Sequence, residues 1–281
     1  MGRQGRAWQW VRPRLDQPGE LAVVLRALYL VYTTEHAGRV ELAAEAIPLA
    51  QQLTLATEEP EARGLLALML LNHARLSARF DGQGRIVTLD RQDRSRWDTR
   101  EIAEAVRVPQ SVLTVQRPGR YQVEAAIAAL HDDAASPAET DWPQILAWYD
   151  DLVALTEDPV HQDPAAVLGC AVAVGHVLGA AAGLRETDRL REVLGDRHRW
   201  HAVRGHLHEL DGDLPAASAA YADAARGAEI AMVETPDGHG RLELTKFHAP
   251  SGRGRRPARA GEHPGHPPCR IRSRRHRRRR R

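Results

Sequence analysis

The sequence contains few aromatic residues, few cysteines and no long apolar run. Aromatic side chains make up 5% of the 281 residues, whereas Ala and Leu are abundant, which favours packed helices over sheets. Cys170 and Cys269 are too few for a disulfide framework or a cysteine-rich zinc site, and we expect both to be free thiols. No segment has the length and hydrophobicity of a membrane-spanning helix or a signal peptide. The sequence therefore predicts a soluble, cytoplasmic, all-α protein that does not bind a membrane.

Charge is distributed unevenly along the chain. Residues 251–281 contain thirteen arginines and a single acid, Glu262, for a charge of about +12. The whole chain has a formal net charge of +2, which leaves about −10 for residues 1–250. We expect this Arg-rich tail to be disordered because it has little apolar surface to bury. Its charge would allow nonspecific, steeply salt-dependent binding of RNA, DNA or acidic lipids, which we interpret as an incidental electrostatic property. The acidic remainder lacks the basic face of a duplex-DNA binder.

Hydrophobic periodicity predicts helices over most of residues 20–227. A helix that starts near Pro60 is apolar on nearly every side and is expected to lie at the centre of the fold. Asp98 and Asp141 have the side chain and the context of helix N-caps. The other helices are expected at about 21–32, 40–53 with Pro48 inside, 121–132, 164–178 and 184–194, followed by two antiparallel helices within 201–224. Residues 201–224 have the spacing of one tetratricopeptide (TPR) unit, which predicts a TPR-like array of helical hairpins.

The composition changes after Gly227. Residues 229–233 form a strand-like apolar run, residues 236–238 a turn, and residues 241–244 alternate between polar and apolar. This pattern predicts a short β-hairpin fragment within residues 228–250.

A charged segment over residues 90–98 is the candidate functional site. Asp93, Arg94, Arg96 and Trp97 are a possible partner surface, since Arg pairs with carboxylates and both Arg and Trp are enriched at interfaces. The alternative is a structural clamp, in which Asp93, Arg94 and Trp97 hold the loop against its own helices.

Six blocks of the sequence resemble, in the same order, one subgroup of extracytoplasmic-function (ECF) RNA polymerase sigma factors. That subgroup has a long TPR-like C-terminal extension, and the blocks are residues 25–30, 42–47, 64–71, 92–98, 121–129 and 140–142. The resemblance covers about residues 21–227. It implies a regulatory domain that modulates transcription initiation by contacting RNA polymerase or the promoter-binding regions of a sigma factor. The twenty residues before Leu21 are too few for those promoter-binding regions, which we do not expect in this chain.

Residues 229–250 resemble the final strands of a glyoxalase/bleomycin-resistance (vicinal oxygen chelate) domain. In metal-dependent members of that family, the Glu at the position of Glu243 is a metal ligand, but the other ligands belong to parts of the domain that this sequence lacks. We therefore expect no metal at Glu243. One hypothesis for the whole sequence is a joined or frame-shifted gene product, in which a sigma-factor segment precedes a glyoxalase fragment and an out-of-frame tail.

The remaining polar residues do not form an enzyme motif. Four histidines lie close together in the sequence, at His198, His201, His206 and His208. They lack a carboxylate pair at ligand spacing and are expected to have surface or packing roles. His131 and Asp132 are expected to be features of a helix end. With no phosphate-binding loop or nucleophile elbow, we expect no enzyme activity, no cofactor and no catalytic, cofactor-binding or metal-ligating residue.

These patterns divide the chain into an N-terminal segment (1–19), a TPR-like helical domain (20–227), a glyoxalase-like fragment (228–250) and a disordered basic tail (251–281). The sequence favours a regulatory part of a sigma factor. The alternatives are a stand-alone interaction scaffold or a non-functional remnant, a nucleic-acid binder acting through the tail, and a metal-dependent enzyme of the glyoxalase type.

Overall fold

The described residues form an all-α protein, as the sequence predicts. The structure is a computed structural model that describes residues 18–33, 40–82, 87–110, 118–155, 164–194 and 198–233. Within these ranges there are eleven α-helices: α1 (Pro18–Thr33), α2 (Val40–Ala56), α3 (Pro60–Ala74), α4 (Leu76–Arg79), α5 (Thr99–Gln110), α6 (Arg120–Asp133), α7 (Trp142–Ala154), α8 (Pro164–Leu178), α9 (Ala180–Leu194), α10 (His198–Asp211) and α11 (Leu214–Val233). None of the described helices combines the length and the hydrophobicity that crossing a membrane requires.

The chain divides at Thr140 into two compact units, so the segment predicted as one helical domain contains both. In the first unit α3 lies at the centre, as its apolar sequence predicts, and packs against α1, α2, α5 and α6. Leu65, Met69 and Leu71 are completely buried. A helix without a polar face is stable only where other elements cover it, and α3 is covered on several sides.

Close packing of α3 against α6 depends on Gly64. A Cβ at this position would lie 2.7 Å from the backbone nitrogen of Gln122, nearer than real Cβ atoms approach. Glu61, one turn earlier on α3, accepts hydrogen bonds of 3.2 Å from the backbone nitrogens of Tyr121 and Gln122. The first turn of α6 is therefore capped by a carboxylate from a different helix. Burial of this carboxyl group raises the pKa of Glu61 above its usual value.

The second unit consists of α7 to α11, and each helix packs against the next one in sequence. Two of its tight connections use glycine: Gly179 (φ 94°) joins α8 to α9, and Gly212 (φ 83°) lies between α10 and α11. A left-handed backbone costs glycine little, whereas a residue with a Cβ is strained there. Packing of each helix against the next is what an array of helical hairpins requires, and the TPR-like description of this array stays a prediction.

Two sequence-based expectations were wrong. Residues 229–233, predicted as a strand, belong to α11, which runs to Val233. A short apolar run fits a helix as well as a strand, and this one continues an Ala-rich helix that passes through Gly227, a residue that weakens a helix but does not end it here. Cys170 is disulfide-bonded, so the expectation of free thiols was also wrong. A count of two cysteines excludes a framework of several bridges but not a single bridge. The rest of the predicted hairpin, the Arg-rich tail and Glu243 lie outside the described residues.

Candidate functional site

The charged segment is folded into two single 3-10 turns, Leu89–Arg91 and Arg94–Arg96. Asp93 begins the second turn and accepts hydrogen bonds from the backbone nitrogen of Ser95 at 3.0 Å and from its hydroxyl at 2.6 Å. These two hydrogen bonds lower the pKa of Asp93. Asp98 then caps α5, accepting from the backbone nitrogens of Arg100 at 2.9 Å and Glu101 at 3.2 Å. The predicted N-cap is confirmed.

Arg94 connects this segment to the end of α6. Its Nη1 donates to the carbonyl oxygens of His131 at 2.7 Å and Ala134 at 2.5 Å. A helix C-terminus leaves carbonyls without intrahelical partners and carries partial negative charge, so a guanidinium is well suited to it. The guanidinium also lies 4.6 Å from the ring centroid of Trp97, at cation–π distance. Burial lowers the pKa of Arg94 from its very high ordinary value.

Arg96 fixes the segment to α4, and the backbone nitrogen of Asp98 donates to the carbonyl of Ala74, at the end of α3, at 2.9 Å. Trp97 is 6% exposed, and its Nε1 is buried without a hydrogen-bond partner among the described residues. Arg96 is exposed, and its guanidinium donates to the carbonyl of Ser77, whose hydroxyl donates in return to the carbonyl of Arg96. The structure therefore brings Arg94 and Trp97 together in internal contacts, whereas Asp93 and Arg96 remain on the surface.

An open cleft of about 700 Å³ lies beside this segment. Its lining includes His73, Ser77, Arg96, Trp97, Arg100 and Glu101. His73 donates from Nδ1 to Glu101 Oε2 at 2.8 Å, which places a hydrogen-bonded His–Glu pair in the wall. The cleft therefore presents both charge signs and hydrogen-bonding groups along one exposed edge of the unit, next to a nearly buried indole.

Next to the Arg94 contacts, a group of ionisable residues is buried at the end of α6. Arg75 Nη1 donates to Asp132 Oδ1 at 3.1 Å, and the Asp132 side chain is 0% exposed. Burial raises the pKa of Asp132 to about 6, against the opposing effects of Arg75 and Arg94. Burial, with the same two arginines, lowers the pKa of His131 to about 4. Sequence reasoning placed His131 and Asp132 at a helix end but missed Arg75, which lies 57 residues from its partner.

The histidines of the second unit do not form a cluster of metal ligands. Among the described residues, no group of three His, Cys, Asp or Glu side chains is placed to hold a metal ion. His201 Nδ1 lies 3.8 Å from Asp223 Oδ2. His206 instead faces His176 of α8, a histidine that sequence reasoning did not single out because it lies 30 residues away.

The fold and the cleft define the protein as an all-α helical protein with an exposed, mixed-charge groove. Residues 20–112, which include the cleft, are similar to a family of unknown function (DUF6596). The chain is also 38% identical over 201 residues to "Uncharacterized protein R00370" of Rhizobium meliloti (strain 1021). That alignment covers 69% of this chain and 46% of the relative, so the chain spans about half the length of the curated protein it matches. No solved structure matches the chain significantly.

Proposed function

We propose that this chain is a helical protein-interaction module that acts as the regulatory C-terminal part of an ECF-type sigma factor. Its partner is core RNA polymerase or the promoter-binding regions of a sigma factor. The observation that carries the proposal is the position of residues 92–98, one of the blocks that resemble the sigma-factor extension, beside the cleft, where the last three of them form part of its wall. Arg94 and Trp97 hold this wall in place, and Arg96 and Asp98 are exposed on it.

The chemistry of the cleft favours a protein partner. Arg96 and Arg100 alternate with Asp98 and the His73–Glu101 pair, so donors and acceptors lie side by side. A nucleic-acid backbone selects a surface of one sign, because each phosphate must be neutralised by a cation. A peptide offers both signs and an apolar component, which suits a mixed groove beside an indole.

The internal contacts of the wall also support this role. The Arg94 hydrogen bonds and the buried Trp97 fix the backbone of residues 93–98 before any partner binds. A pre-ordered surface loses less conformational entropy on association than a flexible loop does. The structural clamp and the partner surface are therefore two roles of one segment, with its buried residues in the first and its exposed residues in the second.

Similarity to a longer relative is in keeping with a module that works beside other domains. The matched region makes up less than half of the relative, and regulatory extensions act through contacts with the rest of such a protein. The relative's printed name describes no activity, so the function proposed here depends on the resemblance and on the cleft.

The test is to measure binding of the full chain to core RNA polymerase and, separately, to the promoter-binding regions of an ECF sigma factor. Arg100→Glu reverses an exposed charge in the cleft while leaving the hydrogen bonds of Arg94 and Arg96 in place. We expect the dissociation constant to rise by at least about tenfold, the effect of losing one interface anchor. The matched control is Arg107→Glu, since Arg107 is exposed on the same helix outside the lining of the cleft.

Absence of binding to both partners, by a wild-type chain with a helical circular dichroism spectrum, would contradict the proposal and favour a stand-alone scaffold or a remnant. Equal effects of Arg100→Glu and Arg107→Glu would also contradict it, because the contact would then be general electrostatics. A variant without residues 251–281 separates the tail from the cleft: binding that disappears with the tail and weakens steeply with salt indicates a nucleic-acid-like polyanion site.

A further inference from the structure

Two histidines of the second unit direct their ring nitrogens at each other. Nε2 of His176, on α8, lies 3.1 Å from Nε2 of His206, on α10. Both residues are partly buried. Neither belongs to the cleft of the proposed function, so any role of this pair is independent of that function.

The surrounding packing holds this pair in place. The ring of Trp142 is stacked on His176, with a centroid distance of 3.7 Å and an interplanar angle of 2°. Next to His176, Gly175 allows α10 to approach α8 so closely that an added Cβ would lie against the side chain of Leu207. Leu207 adjoins His206 in sequence and is completely buried. The two rings are therefore positioned by helix packing and by stacking, not by the rotamers of exposed side chains.

The rings of His176 and His206 point almost directly at each other, with centroids 5.3 Å apart, and the spacing of their nitrogens allows both to bind one metal ion when the rings tilt towards a common point. Imidazole nitrogen binds zinc at about 2.0–2.1 Å, and at such bond lengths two nitrogens 3.1 Å apart subtend an angle of about 100° at the ion. That angle lies between the ideal values of about 90° for tetragonal and about 109° for tetrahedral coordination. Without a metal, the same pair makes one N–H···N hydrogen bond, with its two rings in different tautomers.

We propose that His176 and His206 form a two-histidine site for a first-row transition metal, with the remaining coordination positions occupied by water. Since the described residues supply no set of three ligands, binding is expected to be reversible and not that of a permanent structural ion. A bound ion joins α8 to α10. Cu²⁺ is the strongest probe, because nitrogen sites bind it more tightly than the other divalent ions of the series.

The test is a calorimetric titration of the untagged full chain with Cu²⁺, in the presence of glycine to suppress weak sites at exposed histidines. We expect one equivalent in the wild type that binds more strongly than the exposed histidines do, at a glycine concentration low enough to leave this site competitive. His176→Asn and His206→Asn should each weaken it by more than about tenfold, since loss of a direct ligand costs at least as much as loss of an outer-shell partner. The matched control is His208→Asn on the same helix, which should retain the wild-type affinity.

Two readouts distinguish this site from general copper binding. The electron paramagnetic resonance spectrum of the wild type at one equivalent should show hyperfine coupling to two imidazole nitrogens, a result that does not depend on a variant folding. Cu²⁺ should also quench the fluorescence of Trp142, so Trp142→Phe should lose part of the quenching. Unchanged affinity in both His→Asn variants would overturn the proposal, as would a spectrum without two coordinated nitrogens.

Discussion

Replacing Asp132 by Asn should make the protein lose more stability in acid than the wild type does. The reason is that the buried Asp132 stabilises the fold at low pH and so offsets the opposite effect of His131. The pKa of Asp132 is about 6 in the folded protein, against an ordinary value of 3.8, so its contribution to stability is fully present below about pH 4 and is lost as the pH rises through about 6. His131 has the opposite effect. Its pKa falls from 6.5 to about 4 on folding, so its contribution is present above about pH 6.5 and is lost as the pH falls toward 4.

The two effects have similar size and nearly cancel in the wild type. Between pH 7 and pH 4, each changes the free energy of unfolding by about 2 to 3 kcal/mol, at about 1.4 kcal/mol per pKa unit. In Asp132→Asn only the histidine contribution remains, so the variant should lose about 2 to 3 kcal/mol more than the wild type over this interval. In His131→Gln only the carboxyl contribution remains, and the variant should gain a similar amount relative to the wild type.

Urea unfolding followed by circular dichroism, at half-unit steps from pH 4 to pH 7, measures these differences. Each variant is compared with the wild type at the same pH, so titration of groups elsewhere in the chain cancels. Asp133→Asn is the matched control because Asp133 is exposed at the adjacent position, and its profile should run parallel to that of the wild type. If the difference between Asp132→Asn and the wild type stayed constant across the range, burial would not control these two groups and the reasoning would fail.

Two further substitutions test the packing of the first unit. Gly64→Ala should lower the free energy of unfolding by about 1 to 3 kcal/mol, because the new methyl group overlaps the backbone of Gln122. Gly82→Ala, where an added Cβ meets nothing within 4 Å, is the control, and an equal loss in both would exclude the overlap as the cause. Arg94→Ala should lower the free energy of unfolding by about 2 to 4 kcal/mol, because it removes two charge-assisted hydrogen bonds. The control is Arg91→Ala, at an exposed position, which should leave the urea midpoint near the wild-type value. Equal midpoints in the two variants would refute the capping role of Arg94.

The features that sequence reasoning predicted are those encoded within one helix or one turn. Asp98 and Asp141 were recognisable as caps because their acceptors and donors lie within three residues. The central position of α3 followed from its uniform hydrophobicity. The prediction of a strand at 229–233 was wrong for a related reason, since a run of five residues carries too little periodicity to separate a strand from a helix.

The roles of the site residues depended on partners that are distant in sequence. The charge of Arg94 suggested either a clamp or a partner surface, and only the fold shows its contacts with the carbonyls of His131 and Ala134, 37 and 40 residues away. Arg75 gave no sequence signal at all, because nothing in its neighbourhood indicates a buried aspartate 57 residues later.

The sequence by itself determined that this chain is helical, which of its helices is central and where several of those helices begin. Helix formation follows from side-chain periodicity and capping over one or two turns, and both are present in the linear pattern. Tertiary structure alone decided which charged groups are buried, which line a cleft and which two histidines meet. Those outcomes depend on the approach of whole helices, as at Gly64 and Gly175, and burial then sets the energies of the groups that the packing encloses.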